Sequence, residues 1–244
     1  MTEPLKEGDL FHIVAASSQI SNKEDLHSGI KVLQDWGLIC NHLEAIDSSW
    51  GYLAGSDEHR FNELHPNSHF PLIAFARGGW GSARLLERQQ PWKEGWMIGF
   101  SDLTSILLAR LASGFHGGIH GPLITTLGSE PDWSKDRLKS ILFGNSIPDI
   151  HGDPWGGGIT KGSLIVGNLT VLTHLIGTKH LPNFNNSILI IEDIAEAPYR
   201  IDRMLTHLRL AGILQQLSGL GFGSFTSCNE EENVDKKKSF ELLD

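Results

Sequence analysis

The sequence predicts an α/β protein built on a parallel sheet, followed by a second, smaller part. Three observations predict it. Short apolar runs recur, and each is followed by a polar or glycine-rich turn and then a segment of helical period. The repeat breaks after about residue 128, in a stretch holding Pro131, Pro148, Pro154 and Gly156-Gly157-Gly158. Strand-like runs resume beyond it, at Leu164-Ile165-Val166 and from Ser187 to Ile191.

Taken in order, Leu10 to Ala16 is short and apolar and reads as a buried strand, and Ser17-Ser18 ends it in a helix-starting loop. Leu26, Ile30, Leu33 and Trp36 follow at helical spacing, with Gly37 as the stop. Leu72 to Ala76 reads as a second strand, running into Arg77-Gly78-Gly79-Trp80-Gly81-Ser82 and a helical pattern through Leu85-Leu86. Trp96 to Phe100 is a third, then Ser101-Asp102, then a helix from Leu103 to Leu111. A short helix is expected near Asp136 to Phe143. The second part offers a strand at Leu164-Ile165-Val166, a turn at Gly167-Asn168 and a helix from Leu169 to Ile176. The strand Ser187 to Ile191 closes on Glu192-Asp193, and a long helical pattern runs from Tyr199 to about Leu217. Domains at 8–145 and 160–244, joined by a linker at 146–159, fit this pattern.

Composition narrows the function. The 244 residues are 40% hydrophobic and 20% charged, enough for a core without staples. A net charge of −9 argues against binding a phosphate backbone, so no nucleic-acid partner is expected. A single local arginine could still hold a small carboxylate. Cys40 and Cys228 are too few for a disulfide framework and read as reduced thiols. The acidic start and the lack of a long apolar stretch predict a cytoplasmic protein with no membrane partner.

Four places could carry chemistry. Ser101 sits between an apolar strand and a helix, where unpaired backbone N–H groups favour negative charge. The alternative is an N-cap serine, and Gly99-Phe100-Ser101-Asp102-Leu103 is not a Gly-x-Ser-x-Gly elbow. Gly78-Gly79-Trp80-Gly81 could bring backbone close to a ligand or merely make a tight turn; it fits neither the dinucleotide nor the P-loop pattern. Glu192 or Asp193 could orient a histidine, or be a surface charge. His116 and His120 are spaced i, i+4, but the intervening glycines disfavour a metal-binding helix, and no metal site is expected. Cys40, after Leu38-Ile39, is a faint candidate for a reactive thiol at a strand-to-helix turn.

In combination these segments resemble the LD-carboxypeptidase family of serine peptidases, which includes murein tetrapeptide carboxypeptidases and microcin C immunity peptidases. The resemblance rests on Ile13 to Ser18, Tyr52 to Arg60, Ala76 to Leu86, Ile98 to Thr104, His120-Gly121-Pro122, Gly167-Asn168-Leu169 and Ile191 to Leu205. Seven motifs in order, from about residue 8 to about 228, are far more specific than any one alone. The resemblance implies an N-terminal α/β domain and a smaller C-terminal domain rich in β-structure, with the active site between them. It also implies hydrolysis of an amide beside a free carboxylate, releasing D-alanine from an L,D bond in a muropeptide. By motif, Ser101 matches the nucleophile, the N–H groups of Gly79 and Asp102 match the oxyanion hole, and Glu192 matches the acid that orients a histidine. The partner implied is a small peptide, a muropeptide or a peptide-nucleotide antibiotic. Homodimers are common among members, and neither metal nor organic cofactor is expected.

The chain departs from the family pattern at Trp80, usually Tyr, at Ala16, often Pro, and at Val166, often Gly. A larger departure concerns the base. The family's triad histidine lies in a Gly-His motif well beyond the segment matching Gly221 to Cys228, and no histidine follows His207 here. The expectation is therefore a truncated C-terminal domain and a nucleophile without its base. The first reading is a hydrolase by ancestry, crippled as written; the alternative is a non-catalytic muropeptide-binding protein or a degenerate remnant.

Overall fold

The computed structural model describes residues 2–41 and 48–228. These fall into two compact units, Met1–Trp155 and Gly156–Asp244.

The first unit holds a five-stranded sheet, with β1 (Leu10–Val14), β2 (Ile39–Asn41), β3 (Leu72–Phe75), β4 (Trp96–Gly99) and β5 (Gly118–His120) in the spatial order β2-β1-β3-β4-β5. Every pairing is parallel. The order reverses direction between β1 and β3, and the carboxyl ends of strands beside such a reversal are where open α/β sheets bind ligands. Alternate residues Phe11 and Ile13 of β1, Leu72 and Ala74 of β3, and Ile98 of β4 face one core. Helix α1 (Lys23–Asp35), α4 (Ile124–Leu127) and α5 (Asp132–Leu142) close it with Leu26, Ile30, Leu33, Ile124, Leu127, Leu138 and Leu142. The N-cap Asn22 side chain accepts from Glu24 and Asp25, which is why α1 begins there.

The other face meets α2 (Asp57–Leu64) and α3 (Thr104–Ala112). His12 of β1 stacks on Phe70, and its Nε2 lies 3.0 Å from the Glu63 carbonyl at the end of α2. Arg110 of α3 is buried and donates to the carbonyls of Lys93, Gly95 and His116, bracing the entries to β4 and β5. Burial pushes its guanidinium pKa down to about 10, partly offset by Glu94.

The second unit holds β6 (Ser163–Asn168), β7 (Ser187–Ile194) and β8 (Gly219–Thr226) in the order β6-β7-β8, again all parallel, with α6 (Leu169–His174) and α7 (Pro198–Leu210). Residues 146–162 contain no helix or strand.

Several expectations need correction. Residues Ser82–Glu87 form a 3-10 helix, not an α-helix, and Ser101–Leu103 form another before α3. The strand thought to close at Glu192 runs on to Ile194. Helix α7 stops at Leu210, where Gly212 turns left-handed with φ +74, so the pattern to Leu217 is two pieces. The charge runs after Cys228 lie outside the described residues.

Candidate active site

Ser101 follows β4 and an extended Phe100, and its own backbone is left-handed, with φ +62. Few non-glycine residues adopt this conformation, and those that do cluster at active sites. The turn presents the serine at the carboxyl end of the sheet. Gly78, beyond the end of β3, packs against it: a Cβ on Gly78 would lie 3.1 Å from Ser101 Cβ and 3.2 Å from its Oγ. The missing side chain is what allows the two turns to touch.

Gly79 has φ +116, and a Cβ there would stand 2.2 Å from the Ser18 hydroxyl oxygen. Only glycine fits. Ser18 in turn ties the loop after β1 to this turn, its N–H donating to the Gly78 carbonyl at 3.3 Å and its Oγ accepting from the Trp80 N–H at 3.3 Å. Gly79 itself lies beyond the strand ladder of β3, which ends at Phe75.

Asp102 is nearly buried, and its carboxylate is a junction. Its Oδ2 accepts from the Ser17 hydroxyl at 2.6 Å and from the Ser82 N–H at 2.8 Å. Its carbonyl accepts from the Ser82 hydroxyl at 2.7 Å and the Ser105 hydroxyl at 3.1 Å. The loops after β1, β3 and β4 therefore converge on the residue beside Ser101. Behind them Arg60, fully buried, donates to the Ala16 carbonyl at 2.5 Å and the Gly81 carbonyl at 2.9 Å. Its charge is met by Asp57 at 2.5 Å, which also pairs with Arg84. The Arg84 hydrogen bond is the largest cause holding the Asp57 carboxyl below its usual range; burial opposes it and Arg60 assists. Sequence spacing gives no sign of these serine and arginine contacts.

In the second unit the two acids of β7 differ. Asp193 faces inward and is 3% exposed. Its carboxylate accepts from Asn168 Nδ2 at 3.0 Å, Thr170 N–H at 2.9 Å, Thr170 hydroxyl at 2.8 Å and Ile194 N–H at 2.8 Å. It is committed to the β6–α6 turn. Glu192, on the opposite, half-exposed face with Ile188 and Ile190, pairs in register with Asn168. The β7–β8 ladder shifts between Ile191 and Asp193, placing Glu192 at a bulge, a feature that re-aims side chains.

The remaining candidates take other places. His120 ends β5 opposite Gly99, its ring edge against Phe100 at 6.2 Å, so it lies on a strand and not a metal-binding helix. Among the described residues no cluster of three His, Cys, Asp or Glu is placed to hold a metal. Cys40 lies inside β2, and burial pushes its thiol pKa up, the reverse of what a reactive thiol needs. A small cavity lined by His65, Trp92, Gly95, Trp96, Met97 and Arg110 lies at the amino end of β4, the end away from Ser101. No helix among the described residues is long and apolar enough to cross a membrane.

Comparison with known proteins agrees with this architecture. Residues 11–121 match the model of the LD-carboxypeptidase N-terminal domain, and residues 161–243 match that of the LD-carboxypeptidase C-terminal domain. A putative carboxypeptidase of Synechocystis is 42% identical over 232 residues, covering 92% of this chain and 76% of the relative. The murein tetrapeptide carboxypeptidase of Pseudomonas aeruginosa is 32% identical over 245 residues, covering 90% of this chain and 78% of that one. The microcin C7 self-immunity protein MccF, solved in complex with aspartyl sulfamoyl adenosine, superposes with a TM-score of 0.83 over 98% of this chain and 84% of its own; at 22% identity this is a likeness of fold.

Proposed function

The chain belongs to the LD-carboxypeptidase family, and from that premise we propose that it is a serine-type carboxypeptidase of murein peptides, cutting the L,D amide bond to a C-terminal D-amino acid. The observation that carries the reading is the left-handed Ser101 at the end of β4, packed against Gly78. Such a turn suits a nucleophile, since it projects the hydroxyl away from the sheet and next to backbone N–H groups.

In this reading the Ser101 hydroxyl attacks the scissile carbonyl, and its proton passes to a base. The N–H groups of Gly79 and Asp102 donate to the oxyanion that forms, each worth about 10²–10³ in rate. Collapse of that intermediate expels the D-amino acid, whose nitrogen takes the proton from the base. Water then hydrolyses the acyl-serine by the same route. Glu192 orients the base; Asp193, with three hydrogen bonds from the β6–α6 turn and one from the Ile194 N–H, is already engaged.

A serine without a base is a poor nucleophile, and loss of one triad member costs about 10⁴–10⁶ in rate, so the reading requires a general base beside Ser101. We place the protein's action in the cytoplasm. A peptide-nucleotide is the alternative substrate, by likeness to the immunity protein, and a homodimer is the assembly we propose.

The test is release of the terminal alanine from murein tetrapeptides ending in D-alanine or in L-alanine. Release from the D-form alone supports the reading; equal release from both forms overturns the proposed L,D specificity.

A further inference from the structure

We infer that Arg77 anchors the free C-terminal carboxylate of the peptide on which Ser101 acts. The inference rests on the reading of function just given and adds the residue that would make the site one for chain ends.

Arg77 lies in the turn after β3, between buried Ala76 and Gly78, whose missing side chain allows contact with Ser101. Its Nη1 donates to the Gln19 carbonyl at 2.8 Å and to the Ser21 hydroxyl at 3.1 Å. Both acceptors are neutral and belong to the segment after β1, whose Ser18 hydroxyl lies against Gly79. The guanidinium is thus held against the segment after β1 that lines the Gly79 turn. Among the described residues it is held by one nitrogen only.

A guanidinium has five N–H donors, and the Nε and Nη2 edge forms the fork that grips a carboxylate with two parallel hydrogen bonds. Among the described residues no carboxylate meets that charge. The neighbouring arginines are different: Arg60 and Arg84 both pair with Asp57. The nearby Asp102 accepts from Ser17 and Ser82 instead. Among the described residues Arg77 therefore offers a half-buried, pre-positioned cation without a counter-charge, one residue from the Gly78 that packs against Ser101.

The spacing within the substrate frames the proposal. In a peptide cut at its last bond, only the amide nitrogen and one Cα separate the scissile carbonyl from the terminal carboxylate, which puts them within about 4 Å. We place that carboxylate on Arg77, the residue adjoining the Gly78 that packs against Ser101. The cation would not be matched by an internal peptide bond, which presents a neutral carbonyl there.

Binding measurements test this without relying on turnover. The 244-residue chain is titrated with a murein tetrapeptide ending in D-alanine and with the same peptide as its C-terminal amide, with Trp80, exposed and next to Gly79, as fluorescent reporter. The carboxylate form is expected to bind at least about tenfold tighter than the amide. Arg77→Met should abolish that preference by weakening the carboxylate form alone, and Arg77→Lys should keep part of it, since charge remains and the fork is lost. A preference that survives in Arg77→Met overturns the inference. So does an equal loss of amide binding, which would mean that Arg77 only braces the turn. If the unaltered chain binds neither peptide, the murein reading falls and the anchor with it.

Discussion

The Ser17 hydroxyl donates to the Asp102 carboxylate at 2.6 Å, across 85 residues of sequence. The Ser82 N–H reaches the same oxygen, so one carboxylate fixes the loops after β1, β3 and β4 beside Ser101. Charge-assisted hydrogen bonds in a buried setting are strong, and removing their acceptor leaves buried donors unsatisfied.

Asp102→Ala should therefore lower the unfolding free energy by about 2–4 kcal/mol, and Asp102→Asn by less, because an amide oxygen can still accept. Urea unfolding of the two variants checks this. A loss under about 0.5 kcal/mol for the alanine variant would mean that the three loops are held by something else.

Ser101 stores strain at φ +62. Ser101→Gly should raise stability by about 1 kcal/mol while abolishing any serine chemistry, the signature of a residue kept for function. Thermal unfolding measures it. A destabilised variant would show that the hydroxyl contributes more to the fold than the backbone strain costs.

Gly79→Ala meets two obstacles, the left-handed backbone and the Ser18 hydroxyl at 2.2 Å from the new methyl. It should cost about 1–3 kcal/mol. Adding Ser18→Gly should recover the steric part and leave the backbone part. Full recovery in the double variant would show that φ +116 carries no penalty, and no recovery would show that the contact carries none.

Arg84 and Arg60 hold the Asp57 carboxyl below its ordinary range. A carboxyl depressed on folding adds stability above its unfolded pKa, and that stability disappears as pH falls through the folded value. Asp57→Asn should thus be less stable than the parent at neutral pH, by a margin that stays level down to about pH 4 and then shrinks. A margin that widens on acidification would contradict the assignment.

Much of this site is legible in the sequence because its supports are local. The apolar runs at Leu10, Leu72 and Trp96 are central strands, and the turns that follow them carry Ser17-Ser18, Gly78-Gly79 and Ser101-Asp102. Edge strands are not legible: Ile39–Asn41 and Gly118–His120 are three residues long, partly exposed, and too short to display a period. Gly219–Thr226 hides its strand behind glycines at 219, 221 and 223. Helix Asp57–Leu64 lacks an apolar stripe because what it buries is Arg60 and Leu64, the former a charge matched by Asp57. Long-range polar contacts, such as Ser17 with Asp102 or Arg77 with Gln19, have no signature in spacing at all. The difference between Glu192 and Asp193 is of the same kind: adjacent acids on one strand, separated by the alternation of the pleat and by the Asn168–Thr170 turn that engages one of them.

The measurement that tests the central claim most directly is D-alanine release from a murein tetrapeptide by the protein and by its Ser101→Ala variant. The account predicts release that falls by about 10⁴-fold or more with Ser101→Ala. Release that survives Ser101→Ala would contradict the assignment of the nucleophile itself.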